Sequence, residues 1–435
     1  MVSEWREVAI GELSEIFDGP HATPPKTSNG PVFLGISNLA EGRLDLTNME
    51  HLSEEDYTRW TRRVEPQTGD LVFSYETRLG EAASIPSGLR CCLGRRMGLL
   101  RARSGKVDER FLLYAYLGPQ FQETLRSRTV PGSTVDRIPL IDMPNFPITV
   151  PVTIDEQRAI AHILGTLDDK IELNRRMNET LEAMARGLFK SWFVDFDPVH
   201  AKAEGRDPGL PKPLANLFPD SFEDSELGEI PKGWRVGPIL ETARLLSGGT
   251  PKTDRDEYWS GSIPWASAKD VSQCGDSFLI ETERKITARG LDESATQLIP
   301  ALCSVVVARG ATTGRMVVLG DAMAINQTCY ALATAIGTPF ALYCHLREEI
   351  PNLVHAAHGS VFDTITTSTF ATSKVVIPPN RVFGEFERRV DPMFRRVMAG
   401  TKASRTLAAL RDALLPKLIS GELRLKAINN QLQSA

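Results

Sequence analysis

The sequence predicts a mixed α/β protein built as a tandem duplication: a globular domain and a long helix occur twice, and the two helices pair as an antiparallel coiled coil. Two observations support this prediction. A helical stretch of about forty residues near the middle of the chain has a counterpart close to the C-terminus, and short motifs return after about 228 residues. With 435 residues, the chain is long enough for two domains that each bury a hydrophobic core.

The central long helix is predicted over residues 153–194, because acidic residues open the stretch and no proline interrupts it. Apolar residues recur there at alternating steps of four and three, with two asparagines in the middle. This seam consists of Ile160, Leu164, Leu167, Ile171, Asn174, Asn178, Leu181, Ala185, Leu188 and Trp192. So narrow a seam is typical of a coiled coil, in which buried polar positions fix the register. The helix therefore requires a partner, and at 1.5 Å per residue its seam spans about 48 Å.

The first domain is predicted over residues 1–152, as short strands followed by a helix. Strand candidates are residues 32–36, 71–74 and 97–101, and the helix candidate is residues 109–124. This alternation indicates an α/β or α+β domain that ends where the central helix begins.

Residues 195–231 separate the central helix from the rest of the chain. The segment is acidic, contains six prolines and shows no apolar periodicity. These features predict a linker between the two copies.

The opening pattern of the chain returns after this segment. Trp5 matches Trp234 at an offset of 229 residues, and Gly132-Ser133-Thr134 matches Gly359-Ser360-Val361 at an offset of 227. A period of this length indicates that the domain and its long helix are duplicated.

The second copy supplies the partner helix. It consists of a domain over residues 232–380, a long helix over residues 381–426 and a short tail over residues 427–435. The seam of the second helix includes Leu407 and Leu414, which match the leucines near the end of the first helix.

Antiparallel pairing of the two helices has two consequences. It would bring Asn174 and Asn178 near residues 400–404, so that polar side chains meet polar side chains, and it would place the two domains at opposite ends of the pair. Pro392 is predicted to kink or restart the second helix, because proline lacks a backbone N–H and its ring clashes with the preceding turn.

The net charge of −5 conceals a segregation of charge along the chain. Residues 62–137 carry thirteen Lys and Arg against eight Asp and Glu, residues 195–230 carry three against nine, and residues 381–426 carry eleven against five. Basic stretches of this kind are compatible with phosphate contact, although solvated faces carry similar charge.

Composition also bounds the location of the protein. Its six cysteines lack CxxC spacing and lie mostly in apolar surroundings, which predicts buried free thiols. No apolar run reaches the length of a bilayer span, and residues 1–17 lack the apolar core of a secretory signal. We therefore expect a cytoplasmic protein without a membrane partner.

No stretch of the sequence carries a convincing catalytic motif. Residues 248–253 lack the spacing of a phosphate-binding loop. His345, His355 and His358 lack the cysteines or carboxylates that would complete a metal site. The chain is therefore predicted to be a noncatalytic binding protein without a metal. Two alternatives stay open: a coiled-coil scaffold whose domains bind protein rather than DNA, and an enzyme whose site has no sequence motif.

Four motifs of the chain resemble the specificity subunits of type I restriction-modification systems, and the resemblance covers essentially the whole chain. The motifs are residues 189–196, 225–234, 258–265 and 414–423. The resemblance implies two target-recognition domains, each of which reads one half of a bipartite DNA site. It also implies that the two helices set the spacing of the half-sites and carry the methyltransferase subunits.

The same resemblance implies the partners and cofactors. The partners would be double-stranded DNA, two modification (methyltransferase) subunits and restriction (helicase-nuclease) subunits in a prokaryotic cytoplasm. S-adenosylmethionine, ATP and Mg would be bound by the partner subunits and no cofactor by this chain. The assembled complex would carry out DNA methylation and defence against foreign DNA.

Candidate DNA-binding residues are side chains that can hydrogen-bond base edges or phosphates. In the first domain they are Lys26, Arg78, Arg95, Arg96 and Ser133, and in the second Lys252, Lys269, Arg309, Arg315, Gln327 and Ser360. Residues 309–315 resemble a glycine-bearing family motif whose counterpart in the first copy is residues 77–80. Arg95-Arg96 stands where the second copy has Asn326-Gln327, a difference expected if the two domains read different half-sites.

Overall fold

The computed structural model describes residues 4–40, 42–132, 135–357 and 364–424. The chain divides into two compact units. The first unit takes residues up to 171 together with those from 406 onward, and the second unit takes residues 172–405. Each unit therefore contains one globular domain and a part of each long helix.

The regular elements of the first domain are mostly short strands. The strands are β1 (Trp5–Ala9), β2 (Ser14–Asp18), β3 (Thr27–Leu34), β4 (Leu39–Ala40), β5 (Arg43–Leu44), β6 (Glu50–His51), β7 (Leu71–Ser74), β8 (Ala82–Ser84), β9 (Cys91–Leu93), β10 (Met97–Ala102) and β11 (Pro147–Pro151). The helices are α1 (Ile10–Leu13), α2 (Glu54–Trp60), α3 (Glu109–Leu117) and α4 (Pro119–Arg128), with short 3-10 turns at Ile36–Asn38 and Met143–Asn145. The three predicted strands are confirmed as β3, β7 and β10.

The single helix predicted over residues 109–124 is wrong, because α3 and α4 are separate helices. Gly118 between them lies in extended backbone with ψ 146°, and Pro119 then starts α4, where no backbone N–H is needed. Tyr116 and Phe121 are buried on the two sides of the break, with ring centroids 5.2 Å apart. Because the apolar residues continue through the break, the sequence pattern concealed it.

Two sheets organise the first domain. One is antiparallel in the order β2-β10-β7-β8, and the other has the order β6-β3-β9 with β3 parallel to β9. β1 pairs antiparallel with β11, from Trp5 opposite Pro151 to Ala9 opposite Pro147. The core contains Phe73, Phe111 and Phe146.

The second domain again consists of short strands with few helices. The strands of this part of the chain are β12 (Phe222–Ser225), β13 (Gly228–Pro231), β14 (Arg235–Pro238), β15 (Ala243–Ser247), β16 (Trp259–Ala266), β17 (Phe278–Leu279), β18 (Arg284–Ile286), β19 (Leu298–Ile299), β20 (Ser304–Val307), β21 (Met316–Leu319), β22 (Met323–Ile325), β23 (Cys329–Thr334) and β24 (Lys374–Ile377). Two forty-residue helices, α5 (Ile154–Phe193) and α12 (Asn380–Ile419), enclose it in sequence. The helices between them are α6 (Asp197–Ala203), α7 (Lys212–Ala215), α8 (Ala268–Gln273), α9 (Ala288–Asp292), α10 (Pro339–Ala357) and α11 (Thr367–Thr372), with 3-10 turns at Ile239–Glu241 and Asp256–Tyr258.

The second domain repeats the strand order of the first, which confirms the tandem duplication. Its antiparallel order β15-β23-β20-β21 matches β2-β10-β7-β8, and β17 extends it. Its order β18-β16-β22 matches β6-β3-β9, and the parallel pair recurs as β16 with β22. β14 pairs with β24 as β1 pairs with β11. The two long helices begin 226 residues apart, at Ile154 and Asn380.

The predicted linker at residues 195–231 contains regular structure. Helices α6 and α7 and the hairpin β12–β13 occupy this segment. Val199, Leu214 and Phe218 are buried in a cluster that also contains Trp192 at the end of α5. The Phe218 and Trp192 rings meet edge to face with centroids 5.1 Å apart. The segment lacks periodicity because single apolar residues, rather than one face of an element, enter this cluster.

The second long helix departs from its predicted bounds of 381–426. It begins one residue earlier, ends at Ile419, and leaves the helical path at Gly421, which has φ +72°. Pro392 does not restart the helix, which is assigned as one element throughout. Val390 and Phe394 on either side of Pro392 are buried, so tertiary packing outweighs the local cost of the proline.

The two long helices pack antiparallel within each unit. In the second unit, the Asn178 side-chain amide donates to Thr401 Oγ1 at 3.3 Å, and that of Asn174 donates to Ser404 Oγ at 3.3 Å. As the residue number increases along α5, the number of its hydrogen-bond partner on α12 decreases. This confirms that the two helices are antiparallel and that their polar side chains meet. In the first unit, Arg411 forms an ion pair of 2.9 Å with Asp168.

Burial along the predicted seam is uneven. Ile160, Leu164 and Asn178 are buried. Seven further seam positions are half-buried, namely Leu167, Ile171, Asn174, Leu181, Leu188, Leu407 and Leu414. Ala185, Phe189 and Trp192 are buried more deeply than Leu188 because they enter the aromatic cluster of the second unit.

The cysteines are free thiols and all except Cys274 are buried, as the sequence predicts for most of them. Burial raises the pKa of the Cys329 thiol to about 12. A thiol of this kind is not an activated nucleophile.

Candidate nucleic-acid interface

A short loop follows β7 in the first domain and contains one of the predicted DNA-binding residues, Arg78. The loop closes where the backbone N–H of Ser74 donates to the Glu81 carbonyl at 2.9 Å. Thr77 has φ +68° and Gly80 has φ +80°, so both residues adopt the left-handed conformation. For threonine, whose side chain is β-branched, this conformation is a strained outlier.

Two ion pairs hold the arginines around this loop. Arg96, which itself has φ +69°, places its Nε 2.8 Å from a Glu76 carboxylate oxygen and donates from Nη1 to Thr77 Oγ1 at 3.3 Å. Arg78 lies 2.7 Å from Glu81 and also donates to the Ile36 carbonyl at 3.3 Å. Both guanidinium groups are therefore restrained by carboxylates that the sequence analysis did not single out.

The remaining candidates of the first domain have different surroundings. Arg95 is exposed and forms no ion pair with a described residue. Lys26 forms an ion pair of 2.9 Å with Glu50, and its Nζ lies 2.9 Å from the centroid of the Phe33 ring. Ser133 lies outside the described residues.

A returning segment places residues 135–138 beside this loop. The backbone N–H of Ile138 donates to the Tyr75 carbonyl at 2.9 Å, and Val130 and Arg137 exchange two backbone hydrogen bonds. Tyr75 is buried beneath the loop, and burial, followed by the charge of Asp18, raises the pKa of its hydroxyl.

The corresponding loop of the second domain follows β20 and contains Arg309 and Arg315. Gly310 and Gly314 have φ +102° and +91°. The Ser272 hydroxyl of α8 donates to Thr312 Oγ1 at 2.6 Å. Arg309 and Arg315 are exposed, and neither forms an ion pair with a described residue.

The other candidates of the second domain lie on neighbouring loops. Gln327 is exposed and accepts a hydrogen bond from the Thr250 hydroxyl. Lys252, two residues after Thr250, is exposed. Lys269 on α8 is held by Glu283 at 2.6 Å. Ser360 lies outside the described residues.

Backbone hydrogen bonds establish which residues of the two domains are equivalent. The Tyr75 N–H donates to the Arg96 carbonyl, and in the same way the Ala308 N–H donates to the Thr328 carbonyl. Arg96 is therefore equivalent to Thr328, and Arg95 to Gln327. The predicted pairing of Arg95-Arg96 with residues 326–327 is wrong by one residue, because the sequence alone does not fix the register of the turn.

These groups suit the recognition of nucleic acid bases. Guanidinium groups donate to guanine, amide side chains pair with adenine, and other basic or hydroxyl groups hold phosphates. However, much of the basic charge of residues 62–137 is neutralised locally. Besides Arg78 and Arg96, the residues Arg90, Arg101, Arg110 and Arg126 each lie within 2.8 Å of a carboxylate oxygen.

An exposed stripe runs along a part of each long helix. In the second unit, Leu173 and Met184 of α5 are 60% and 53% exposed, and in the first unit Leu410 of α12 is 47% exposed. Met184 and Leu410 are equivalent, because each lies thirty residues after the start of its helix. The exposed Ala183 of α5 likewise corresponds to the exposed Ala409 of α12.

In the parts of the chain that the structure describes, no helix combines the length and apolar character needed to cross a membrane. These same parts contain no group of three His, Cys, Asp or Glu placed to hold a metal ion. His345 is buried, which lowers the pKa of its imidazole to about 4.

Repeated domains with exposed, base-compatible side chains define a DNA-specificity class of protein. Residues 2–183 and 231–382 match the family model described as the type I restriction modification DNA specificity domain. This match spans most of the sequence, and the chain therefore belongs to the specificity subunits of type I restriction-modification systems.

Individual relatives agree with this assignment. The chain is 27% identical to the type I restriction enzyme HindI specificity subunit of Haemophilus influenzae over 68% of this chain and 72% of that protein. It is 25% identical to the MjaIX specificity subunit of Methanocaldococcus jannaschii over 88% and 86%. The fold is similar to the crystal structure of the type I S subunit from M. genitalium, with TM-score 0.61 and 15% identity over 96% of both chains.

Proposed function

We propose that this chain gives a type I restriction-modification complex its sequence specificity by reading a bipartite DNA target, with one domain for each half-site. The observation that carries the proposal is the equivalence of Arg95 and Gln327. Both side chains are exposed at the same turn of the repeated fold, and they differ in the base that they suit. Arginine pairs with guanine and glutamine with adenine, so two such domains would read different bases.

Exposed cations around these turns would hold the DNA backbone. Lys252, which lies beside these turns, is one such exposed cation in the second domain. Phosphate contacts fix the register of a protein on DNA, while base contacts specify the sequence. Their number would set the salt dependence of binding.

The two forty-residue helices are proposed to act as a ruler between the reading domains. Rigid helices hold a fixed length, because each residue contributes 1.5 Å of rise. Two domains that both read the major groove on one face of the duplex favour half-sites about one helical turn apart, roughly 34 to 36 Å between centres. The bases between the half-sites would not be read.

The equivalent stripes on α5 and α12 are proposed to dock the modification subunits. Because Met184 and Leu410 occupy the same position of a repeat, a partner that recognises one stripe would recognise the other. Two copies of the methyltransferase subunit would then bind one chain. These copies would bring S-adenosylmethionine, and the restriction subunits would bring ATP hydrolysis with Mg, so this chain would itself catalyse none of the steps.

The proposal is tested by methylation with purified components. The chain alone should transfer no methyl group, hydrolyse no ATP and cleave no DNA. With its cognate modification subunit it should direct methylation to one bipartite motif, mapped by modification-sensitive sequencing of random DNA. Methyl transfer by the chain alone would contradict the proposal. Methylation by the assembled complex without sequence preference would instead favour the alternative, a coiled-coil scaffold that binds protein only.

A further inference from the structure

The loops after β7 and β20 are equivalent at both ends, but their charges are opposite. Glu76 forms an isolated antiparallel bridge with Arg137, and in the second domain Arg309 forms the same bridge with Thr364. Both residues follow the equivalent positions Tyr75 and Ala308. Glu76 of the first domain therefore stands where the second domain has Arg309.

At the C-terminal ends of the two loops, a glutamate of the first domain again corresponds to an arginine of the second. The Ser74 N–H donates to the Glu81 carbonyl in the first domain, and the Val307 N–H donates to the Arg315 carbonyl in the second. Glu81 therefore stands where the second domain has Arg315. Glutamate is replaced by arginine at both ends of one loop.

In the first domain, each of these glutamates restrains an arginine. Glu76 lies 2.8 Å from Arg96, and Glu81 lies 2.7 Å from Arg78. The Arg96 and Arg78 side chains remain 33% and 41% exposed, so their guanidinium groups are fixed but accessible. Of the two arginines of the second domain, neither has a carboxylate partner among the described residues.

The glutamate–arginine pairs are not needed to close the loop. The second domain closes the same loop with glycine at both left-handed positions and without any such pair. In the first domain, Thr77 takes the left-handed position that Gly310 occupies in the second, and its hydroxyl accepts from Arg96. Exposed ion pairs contribute little to stability, whereas strained residues persist where a function requires their geometry.

We propose that Glu76 and Glu81 are specificity-determining residues of the first domain, and that their counterparts Arg309 and Arg315 determine the specificity of the second. The inference rests on the proposed function, since it requires that the domains read DNA. A free guanidinium presents two parallel donors and selects guanine. A guanidinium fixed beside a carboxylate presents a donor next to an acceptor, and the acceptor selects a base with an exocyclic amino group in the major groove, adenine or cytosine.

The first half-site should therefore contain adenine or cytosine at the positions read by these pairs. The second half-site should contain guanine where Arg309 and Arg315 contact it. The four residues would thus let one repeated fold read two different sequences.

The test is made on the complex of the full chain with its modification subunits. Methylated sites are selected from a DNA library with randomised half-sites. In the Glu76→Ala/Glu81→Ala variant, discrimination should fall about tenfold at one or two adenine or cytosine positions of one half-site, the loss expected for one base contact. The other half-site and the spacer should not change. The matched control is Glu123→Ala, which breaks the exposed pair of Glu123 with Arg126 on α4 and should leave both half-sites unchanged.

A second pair of substitutions keeps the test decisive if the double alanine variant fails to fold, as judged by its circular dichroism melt. Arg309→Gln/Arg315→Gln changes only exposed side chains and should relax guanine positions in the other half-site alone. Unchanged base preferences in these folded variants, or equal changes in both half-sites, would overturn the inference. A native complex that selects no bipartite motif would instead contradict the proposed function itself.

Discussion

Asn178 on α5 donates its side-chain amide to Thr401 Oγ1 on α12 at 3.3 Å, directly beside Gly400. A Cβ on Gly400 would lie 2.6 Å from Asn178 Oδ1, which is closer than such atoms approach. The asparagine therefore fits because its partner position has no side chain. The two helices are thus matched at a polar and a small residue, a pairing that fixes register at some cost in stability.

A double-mutant cycle tests this match. Gly400→Ala alone should bring no gain in stability, because the clash with Asn178 offsets the higher helix propensity of alanine. In an Asn178→Ala background the same change should stabilise the chain by about 1 kcal/mol. Denaturant unfolding of the four proteins measures both effects, and identical effects of Gly400→Ala in the two backgrounds would exclude the contact.

A buried carboxylate predicts a pH-dependent stability of the second domain. Glu387 on α12 is 9% exposed and accepts hydrogen bonds from the backbone N–H groups of Ala341, at 2.7 Å, and Phe340, at 3.3 Å, in the first turn of α10. Burial raises the pKa of this carboxyl to about 7, although the two N–H donors oppose the shift. The folded state therefore binds the proton more tightly than the unfolded state, whose pKa is near 4.5.

Stability should accordingly fall as the pH rises from about 4.5 to 7, by up to about 3 kcal/mol for a shift of this size, and level off above it. Glu387→Gln keeps an oxygen acceptor and removes the titration. The difference between the melting temperature of the variant and that of the native chain should therefore increase from pH 5 to pH 8. A difference that stays constant over this range would show that Glu387 does not titrate as described.

The exposed stripes predict the stoichiometry of the complex. Light scattering of the saturated complex should give two modification subunits for each chain. Met184→Glu and Leu410→Glu should each reduce the ratio to one, because each places a charge in one apolar contact, and the double variant should bind none. Arg186→Glu, at an exposed position outside the α5 stripe, is the control and should keep two. A ratio of one for the native chain would contradict docking on equivalent stripes.

The helical ruler predicts how the spacer between half-sites responds to helix length. Asp168 faces Arg411, so one heptad inserted after Leu167 and another beside Arg411 would keep the two seams in phase. Seven residues add about 10.5 Å, or roughly three base pairs. The variant should therefore methylate sites that have a correspondingly longer spacer and unchanged half-sites. A change in the half-site bases would instead show that the helices take part in base recognition.

The sequence predicts the features of the chain that depend on long-range periodicity. It does not predict contacts that depend on the local conformation of single residues. The seam of α5 and the repeat of Trp5 at Trp234 depend only on spacing, so they predicted the two helices and the duplication. The pair of Glu76 and Arg96 depends on two left-handed residues, Thr77 and Arg96, nineteen positions apart, and no local pattern indicates it. The fold of residues 195–231 was missed for a related reason, because the few buried apolar residues of this segment find partners only in the folded cluster.

Exchange of the domains tests directly whether each domain reads one half-site independently. Residues 1–152 are replaced by a second copy of residues 232–380, and the methylation motif of the resulting complex is mapped by sequencing. The expected target consists of two copies of the half-site read by the second domain, with the spacer unchanged. Retention of the original two half-sites, or a change confined to the spacer, would contradict the assignment of sequence reading to the domains.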